Sequence, residues 1–180
     1  MTLSDKRKIE LAQKACSQLI TRAQTLMVSV SANAQTGAQS APETQDQSGP
    51  ETGFVPFIRH DGHFIIFTSH LSAHTRLLLS GGSARYMLVE DESNAQNIWA
   101  RIRLSFEGEL VEIQRENADF DRLCDQLATA HGPVMDVIRS FTDFHLFQIT
   151  PVSGRLVTGF AAAYAVSGPD FTIQAHLTKS

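Results

Sequence analysis

The most informative stretch of the sequence for the fold is Phe54 to Asp91, which reads FVPFIRHDGHFIIFTSHLSAHTRLLLSGGSARYMLVED. Two runs rich in Phe, Ile and Val flank Asp61-Gly62, and such a pair supplies the positive φ angles of a two-residue hairpin turn. The second run ends at Thr68-Ser69, and a short helix closed by Gly81-Gly82 follows it. The pattern predicts a strand, a tight turn, a strand, a helix and another strand.

Polar and cationic side chains follow the second predicted strand. Ser69, His70, His74 and Arg76 all come where that strand meets the helix. Imidazole and guanidinium groups donate hydrogen bonds to anions. We therefore expect an anionic cofactor near this strand end.

Length and composition exclude several classes of protein. The 180 residues fit a single domain over 1–180, and the net charge of −4 offers no attraction to nucleic acid or to an anionic membrane surface. Cys16 and Cys124 lack any Cys-x-x-Cys spacing, so neither a zinc site nor a disulfide framework is predicted. The N-terminal region is interrupted by charges and has no signal-peptide core or membrane span, so we expect a cytoplasmic protein.

The segments before the hairpin predict a helix, a strand and an insertion. Apolar residues recur at helical spacing from Ile9 to Ala23, and 25–32 alternates apolar and polar residues as a half-buried strand does. Residues 33–53 contain no Val, Ile, Leu, Met or aromatic residue and cannot offset the entropy of ordering. We expect a disordered insertion at 33–53.

The segments after the helix predict more strands around two further helices. Helices are expected at 117–131 and 134–140, and strands at 84–90, 98–113 (kinked at Gly108), 145–150, 155–166 and 171–177, with a turn at 151–154. Six or seven strands, mostly joined by hairpins, favour an α+β, mainly β fold. The expected architecture is a closed antiparallel barrel with flanking helices.

Two arginines stand out within the 98–113 pattern. Arg101, Arg103 and Ser105 fall on one face of the predicted pleat, with apolar residues on the other. Guanidinium forks bind carboxylates and phosphates through paired hydrogen bonds, so this face suits an anion clamp. A solvated outer face fits the same periodicity.

An ordered set of motifs carries a resemblance to a known family. VPF, DGHFIIFTSHLSAHTRLL, MLVEDE, ARIRLSF and DFHLFQITPVSGRLVTGFAAAY together resemble the pyridoxamine 5′-phosphate oxidase-like split barrel. More narrowly, the chain is similar to the heme-utilisation (HugZ/HutZ-type) branch of that superfamily, from Thr25 to Leu177 without 33–53. The resemblance implies a six- or seven-stranded split β-barrel, a homodimer with pockets at the subunit interface, and FMN or, in this branch, heme.

The resemblance also implies which residues bind the cofactor. One group matches the family's Ser-His-x-x-x-His-x-Arg stretch, and a second matches its strand Arg-x-Arg, which would face the phosphate of FMN or the propionates of heme. The implied cofactor-binding residues are Ser69, His70, His74, Arg76, Arg101 and Arg103.

Further expectations concern catalysis and iron. Asp143 matches the aspartate that orients the axial histidine or water of heme, so it is the implied catalytic residue. In the heme branch the axial histidine lies in a Gly-His tail, which the 178–180 segment does not match, and His176 is therefore the candidate metal ligand. A solvated or hydrogen-bonded strand histidine is the alternative for His176. The Arg-Lys pair of flavin enzymes is Ala73-His74 here, which argues against tight binding of the FMN phosphate.

Three functions follow from these observations. The first is a heme-binding protein of heme-iron utilisation that degrades heme oxidatively. The second is an FMN-dependent oxidoreductase of the pyridoxamine 5′-phosphate oxidase type. The third is a non-catalytic split barrel that binds a ligand.

Overall fold

The computed structural model describes residues 3–32 and 49–177. Short 3₁₀ turns at Glu92–Asn94 and Ile98–Ala100 lie between the strands Ser83–Val89 and Arg103–Ile113. The helices and strands within the described residues are α1 (Leu3–Arg22), β1 (Thr25–Ser31), β2 (Glu51–His60), β3 (His63–Ser69), α2 (Ala73–Leu79), β4 (Ser83–Val89), β5 (Arg103–Ile113), α3 (Phe120–His131), α4 (Val134–Ile138), β6 (Phe144–Gly159), β7 (Ala162–Ser167) and β8 (Thr172–Leu177).

The strands form one antiparallel sheet that closes on itself. Their order is β3-β2-β1-β4-β5-β6-β7-β8, and β3 also pairs with β6, which closes β1 to β6 into a barrel. β7 and β8 extend the sheet from the second half of β6. This confirms the predicted antiparallel barrel with flanking helices, although the described residues contain eight strands where six or seven were expected.

The predicted hairpin between β2 and β3 is confirmed. Asp61 and Gly62 have φ angles of 48° and 81°, as a type I′ turn requires, and His60 pairs with His63 across it. Glycine reaches a positive φ without steric cost, and a short polar side chain such as that of Asp tolerates it. The turn therefore determines the register of the two strands.

The predicted turn at 151–154 is wrong, because β6 continues through it. The first half of β6 lies between β3 and β5, and the second half lies between β5 and β7. Pro151 pairs with Gly108 beside a bulge between Glu107 and Gly108, where a residue without an N–H group is tolerated. The bulge confirms the predicted kink at Gly108, and it marks the point where β6 changes neighbours.

The predicted insertion is three residues too long, since β2 already begins at Glu51. Glu51 pairs with Val30 of β1, and Gly53 pairs with Val28. Backbone hydrogen bonds to a neighbouring strand hold these residues, so the lack of apolar side chains did not prevent strand formation. The remainder of the predicted insertion, apart from Gly49 and Pro50, lies outside the described residues.

Two apolar clusters stabilise the fold. The larger fills the barrel, where the Phe64 ring stacks on that of Phe106 at 5.0 Å, and buried residues of α1 and α2 such as Cys16 and Leu78 pack against it. The smaller lies between α3 and the outer face of β3 and β6, around Phe67. Burying an aliphatic or phenyl side chain of this kind contributes about 1.5–3 kcal/mol. Across the described ranges, none of the helices has the length and apolar character needed to cross a membrane.

Candidate functional site

Ser69 and Asp143 meet at one end of the barrel, where β3 ends and β6 begins. Ser69 pairs with Phe144, which brings the loop after β3 beside the loop before β6. The Ser69 hydroxyl donates a hydrogen bond to Asp143 Oδ2 at 2.7 Å, and the His70 N–H donates one to the Asp143 carbonyl oxygen at 2.7 Å. The structure thus brings three predicted site residues together, at what we call the Ser69–Asp143 end.

Arg76 supports this end from helix α2. Its Nη1 donates hydrogen bonds to the carbonyl oxygens of His70 at 3.2 Å and Leu71 at 2.8 Å. The Leu71 N–H in turn donates to the Ser69 hydroxyl at 3.0 Å. The Arg76 side chain therefore holds the turn between β3 and α2 in place by binding the carbonyl oxygens of that turn.

His74 is buried, although the sequence predicted that it would contact an anion. It is only 8% exposed, and its Nε2 lies 3.5 Å from the hydroxyl of Thr68. A Cβ on Gly53 would lie 2.5 Å from two atoms of the His74 ring, so the ring packs directly on the glycine backbone. Burial lowers the pKa of His74, with Glu51 opposing the shift, so the imidazole is neutral at neutral pH.

A hydrogen-bonded pair that the sequence reasoning missed lies at the same end. His145 Nδ1 and Glu112 Oε1 are 2.7 Å apart, and both side chains are mostly buried. The His145 ring lies 6.1 Å from that of His70, and the two paired residues line a small cleft of about 190 Å³. Side chains two residues apart on a strand share a face. Glu112 lies two residues after Leu110, and His145 lies two residues before Phe147, so the sequence pattern could have placed both on the inner face of the barrel.

The two predicted clamp arginines differ in their surroundings. Arg101 precedes β5, so the prediction that it shares a strand face with Arg103 is wrong: the Ile98–Ala100 segment forms a 3₁₀ turn there. The Arg101 guanidinium binds the Glu90 carbonyl oxygen and, at 3.0 Å, the Glu92 carboxylate. Arg103 donates from Nη1 to the Arg101 carbonyl oxygen at 3.2 Å, and its guanidinium makes no other hydrogen bond within the described ranges.

Two exposed aromatic residues lie within a few residues of Arg103 or of its strand partner Val157. Trp99 is 85% exposed in the turn just before β5. Phe160 is 71% exposed at the tip of the β6–β7 hairpin, three residues after Val157, which pairs with Arg103. We call Arg101, Arg103, Trp99 and Phe160 the arginine edge, which combines cations with apolar surface.

A cleft with a mixed polar and apolar lining lies near Arg101 and Arg103 in the sequence. It has a volume of about 490 Å³ and lies between the end of α1 and strands β1 and β4. Its lining includes Leu19, Phe54, Met87, Val89 and Ile102, with Arg22, Glu90 and Asp91 among its polar residues. Ile102, which lines the cleft, lies between the two clamp arginines in sequence. The volume falls within the range of about 300–1,000 Å³ that is usual for small-molecule pockets.

His176 lies on β8, which pairs with β7. It pairs with Tyr164, and its Nε2 donates a hydrogen bond to the carbonyl oxygen of Ala161 at 3.0 Å. That bond leaves Nδ1 as the nitrogen with a free lone pair. Within the described ranges, no group of three or more His, Cys, Asp or Glu side chains is placed to hold a metal ion.

The Ser69–Asp143 end and the arginine edge are far apart in one chain. Arg103 begins β5 and Ile113 ends it, so about 33 Å of strand separates them at a rise of about 3.3 Å per residue. Ile113 pairs with Leu146 of β6, near Asp143. One chain therefore presents these two groups of residues near opposite ends of β5.

Comparison with known proteins agrees with this architecture. No protein-family model matches the chain. The chain is 30% identical over 133 residues to the heme oxygenase HutZ of Vibrio cholerae serotype O1 (strain ATCC 39315 / El Tor Inaba N16961), which covers 74% of this chain and 76% of that protein.

Solved structures share the fold at lower identity. The crystal structure of HutZ from Vibrio cholerae, described as a heme storage protein, superposes with a TM-score of 0.65 at 23% identity and covers 79% of this chain and 91% of that one. Campylobacter jejuni ChuZ gives 0.75 at 20% identity, over 99% and 64% of the two chains. A putative pyridoxamine 5′-phosphate oxidase from Listeria innocua gives 0.54 at 10% identity, over 82% and 98%.

The closed six-stranded barrel with two lateral strands and flanking helices is a split barrel of the pyridoxamine 5′-phosphate oxidase-like type. Within that class, the chain belongs to the HutZ family, the heme-utilisation (HugZ/HutZ-type) branch. The resemblance stated from the sequence motifs is confirmed.

Proposed function

We propose that this protein binds heme and serves heme-iron utilisation in the cytoplasm. Its relative of 30% identity is named a heme oxygenase, and the relationship spans about three quarters of both chains. Oxidative heme degradation is the reaction that we propose for it on the same ground. FMN-dependent redox chemistry is the competing function, because the fold is shared with a putative pyridoxamine 5′-phosphate oxidase.

The burial of His74 is the observation that favours heme over FMN. Flavin enzymes of this superfamily have an Arg-Lys pair where this chain has Ala73-His74. His74 is buried against Gly53 and Thr68 with a lowered pKa, so it presents neither a charge nor an exposed N–H to a phosphate. The phosphate of FMN therefore lacks a cation that tight binding requires at this position.

The arginine edge and the cleft fit a heme. Arg103 has N–H groups that no residue in the described ranges engages, and these suit a propionate carboxylate. The apolar residues in the mixed lining of the cleft suit contact with a flat apolar ring. Arg101 is held by Glu90 and Glu92, so we expect it to shape the edge more than to bind the ligand.

A heme that contacts both the arginine edge and the Ser69–Asp143 end requires a second copy of the chain. Arg103 and Asp143 lie near opposite ends of β5, too far apart for one ligand to touch both in the same chain. In a homodimer with two-fold symmetry, each pocket takes the arginine edge from one chain and the Ser69–Asp143 end from the other. We propose this arrangement, with two equivalent pockets at the subunit interface.

The chain's own residues have distinct proposed roles at such a pocket. Heme, when bound, supplies the redox chemistry. Asp143, held by Ser69 at 2.7 Å, would accept a hydrogen bond from a histidine or water bound to the heme and so orient it. His70 is exposed beside Asp143, and His176 remains the candidate iron ligand, through Nδ1.

A hemin titration with two arginine variants tests the proposal. Arg103→Ala removes a charge-assisted hydrogen bond worth about 1.5–3 kcal/mol, which corresponds to a rise in hemin Kd of about 10- to 150-fold. Arg85→Ala is the matched control, because Arg85 lies on β4 and forms an exposed ion pair with Glu107. Equal affinities for the wild type and both variants would show that the arginine edge does not bind the propionates.

A further inference from the structure

The turn between α4 and β6 positions Asp143 without regular strand pairing. The Phe141 N–H donates to the Ile138 carbonyl oxygen at 3.0 Å, and the Phe144 N–H donates to the Phe141 carbonyl oxygen at 3.3 Å. Further hydrogen bonds to carbonyl oxygens of the turn come from elsewhere in the chain. One donor is the His70 N–H, and the other is a side chain from a different part of the chain.

Arg115 provides that side chain from the residues just after β5. Its Nη1 donates to the Arg139 carbonyl oxygen at 2.7 Å, and its Nη2 donates to the carbonyl oxygens of Phe141 and, at 3.2 Å, Phe144. The guanidinium carbon lies 5.2 Å from the centroid of the Phe120 ring, which fixes the plane of the fork. Two of the three carbonyl oxygens precede Asp143 and one follows it.

The geometry of these bonds matters more than their charge alone. Hydrogen bonds from a guanidinium are about twice as strong as neutral ones, and a planar fork can hold several acceptors in fixed directions. The opposite side of the turn is held by the bonds from Ser69 and His70 to Asp143. Asp143 thus lies between two sets of contacts, and only the set made by Ser69 and His70 belongs to the proposed heme site.

We propose that Arg115 is a positioning residue for Asp143. By holding the turn on both sides of Asp143, it keeps the carboxylate at the Ser69 hydroxyl and in the direction of the ligand. This inference rests on the proposed function insofar as Asp143 faces heme. The part that concerns the turn itself does not depend on any ligand.

Arg139 offers a matched control within the same turn. Its guanidinium binds the carboxylates of Asp121 and Asp125 on α3 at 2.9 and 2.7 Å, so its side chain holds the helices together and makes no bond to the turn. Replacing Arg139 removes charge-assisted bonds of similar strength next to Arg115's acceptors. A general loss of stability is therefore common to both variants, whereas displacement of Asp143 is specific to Arg115.

The first measurement is hydrogen exchange of the His70 amide in the protein without ligand. That amide donates to the Asp143 carbonyl oxygen, so it reports directly on the turn. We expect Arg115→Ala to speed its exchange by about 10-fold or more, and Arg139→Ala to leave it within about twofold of the wild type. Arg115→Lys keeps the charge but loses the fork, and serves in the same way should the alanine variant fail to fold. Wild-type exchange at His70 in both Arg115 variants would overturn the proposal.

The second measurement is the absorbance spectrum of the hemin-loaded protein. We expect Arg115→Ala to reproduce the change in the iron's spin-state bands that Asp143→Asn causes, and Arg139→Ala to leave them unchanged. A spectrum of Arg115→Ala identical to the wild type, alongside a changed Asp143→Asn spectrum, would show that Arg115 has only a structural role. If the wild type binds no hemin, the proposed function fails, while the exchange measurement still decides whether Arg115 positions Asp143.

Discussion

Gly53→Ala is predicted to destabilise the protein because the added methyl group would enter the space of the His74 ring. The new Cβ would lie 2.5 Å from Cε1 and Nδ1 of His74 and 3.2 Å from Nε2. The ring would have to move by about 1 Å to restore ordinary contact, but it is also packed against Thr68. Overpacking of this kind costs about 1–3 kcal/mol, and the lower chain entropy of alanine offsets about 0.4–1 kcal/mol of it. The expected net loss lies between about 0 and 2.6 kcal/mol in the free energy of unfolding.

Urea denaturation of a double-mutant cycle measures this effect. In a His74→Ala background the ring is gone, so Gly53→Ala should cost nothing or stabilise the protein slightly, and the two changes should couple strongly. An equal cost of Gly53→Ala in both backgrounds would refute the reasoning. It would mean that His74 does not occupy this position and that the argument against an FMN phosphate site has lost its basis.

Two further predictions concern Cys16, which is buried, and Gln13, which is half-buried, both on α1. Burial raises the pKa of the Cys16 thiol from 9.0 to about 11, so the native protein should react with iodoacetamide at this residue only on unfolding. The free energy of unfolding should also fall as the pH rises from 9 towards 11, because the thiol ionises more readily in the unfolded chain. The Cys16→Ala variant should lack this pH dependence. Rapid alkylation of native Cys16 at pH 8 would contradict this. The Gln13 side chain accepts a hydrogen bond from the Ile173 N–H at 3.0 Å and donates one to the Phe171 carbonyl oxygen at 3.4 Å, so Gln13→Ala should lower the free energy of unfolding by about 1–3 kcal/mol in urea. No change in the urea midpoint would show that water replaces both bonds.

Local patterns predicted the parts of the fold that depend on neighbours in sequence. The Asp61-Gly62 turn and its two strands were readable because the backbone angles of the turn restrict the residues that can form it. Gly108 was readable as a kink for a related reason, since a Cβ there would lie 2.6 Å from the Thr150 carbonyl oxygen. Hairpin after hairpin then favoured an antiparallel barrel.

The errors arose where a distant part of the chain decides the outcome. Pro151 suggested a turn, but pairing with β5 carries β6 straight through it. His70 and His74 have helical spacing, yet α2 begins only at Ala73, so His70 lies in the preceding turn and His74 points into the core. No local pattern reveals that His74 meets Gly53, which is separated from it by the whole β2–β3 hairpin.

Arg115 illustrates the same limit within the site. In the sequence it stands between polar neighbours in Gln-Arg-Glu and suggests a solvated loop. Its acceptors lie 24 to 29 residues away and are backbone carbonyl oxygens, which carry no side-chain signal. Such contacts become visible only once the positions of β5 and β6 are known.

The HutZ relative carries two names that describe different activities. The same Vibrio cholerae protein is called a heme oxygenase in one description and a heme storage protein in another. In this chain, Asp143 is the carboxylate held at the Ser69–Asp143 end. Asp143→Asn should therefore slow reductant-driven loss of bound heme if the protein degrades it, with affinity for heme nearly unchanged.

Titration of the purified wild-type protein with hemin and, separately, with FMN distinguishes heme binding from flavin binding. We expect a Soret band that saturates at one heme per chain, because each of two equivalent pockets takes half of its lining from each chain. We also expect that no flavin stays bound after gel filtration, because the buried His74 offers no cation to the phosphate. Retained FMN with flavin absorbance, and no saturable Soret band with hemin, would show that the protein is a flavoprotein and not a heme-binding protein.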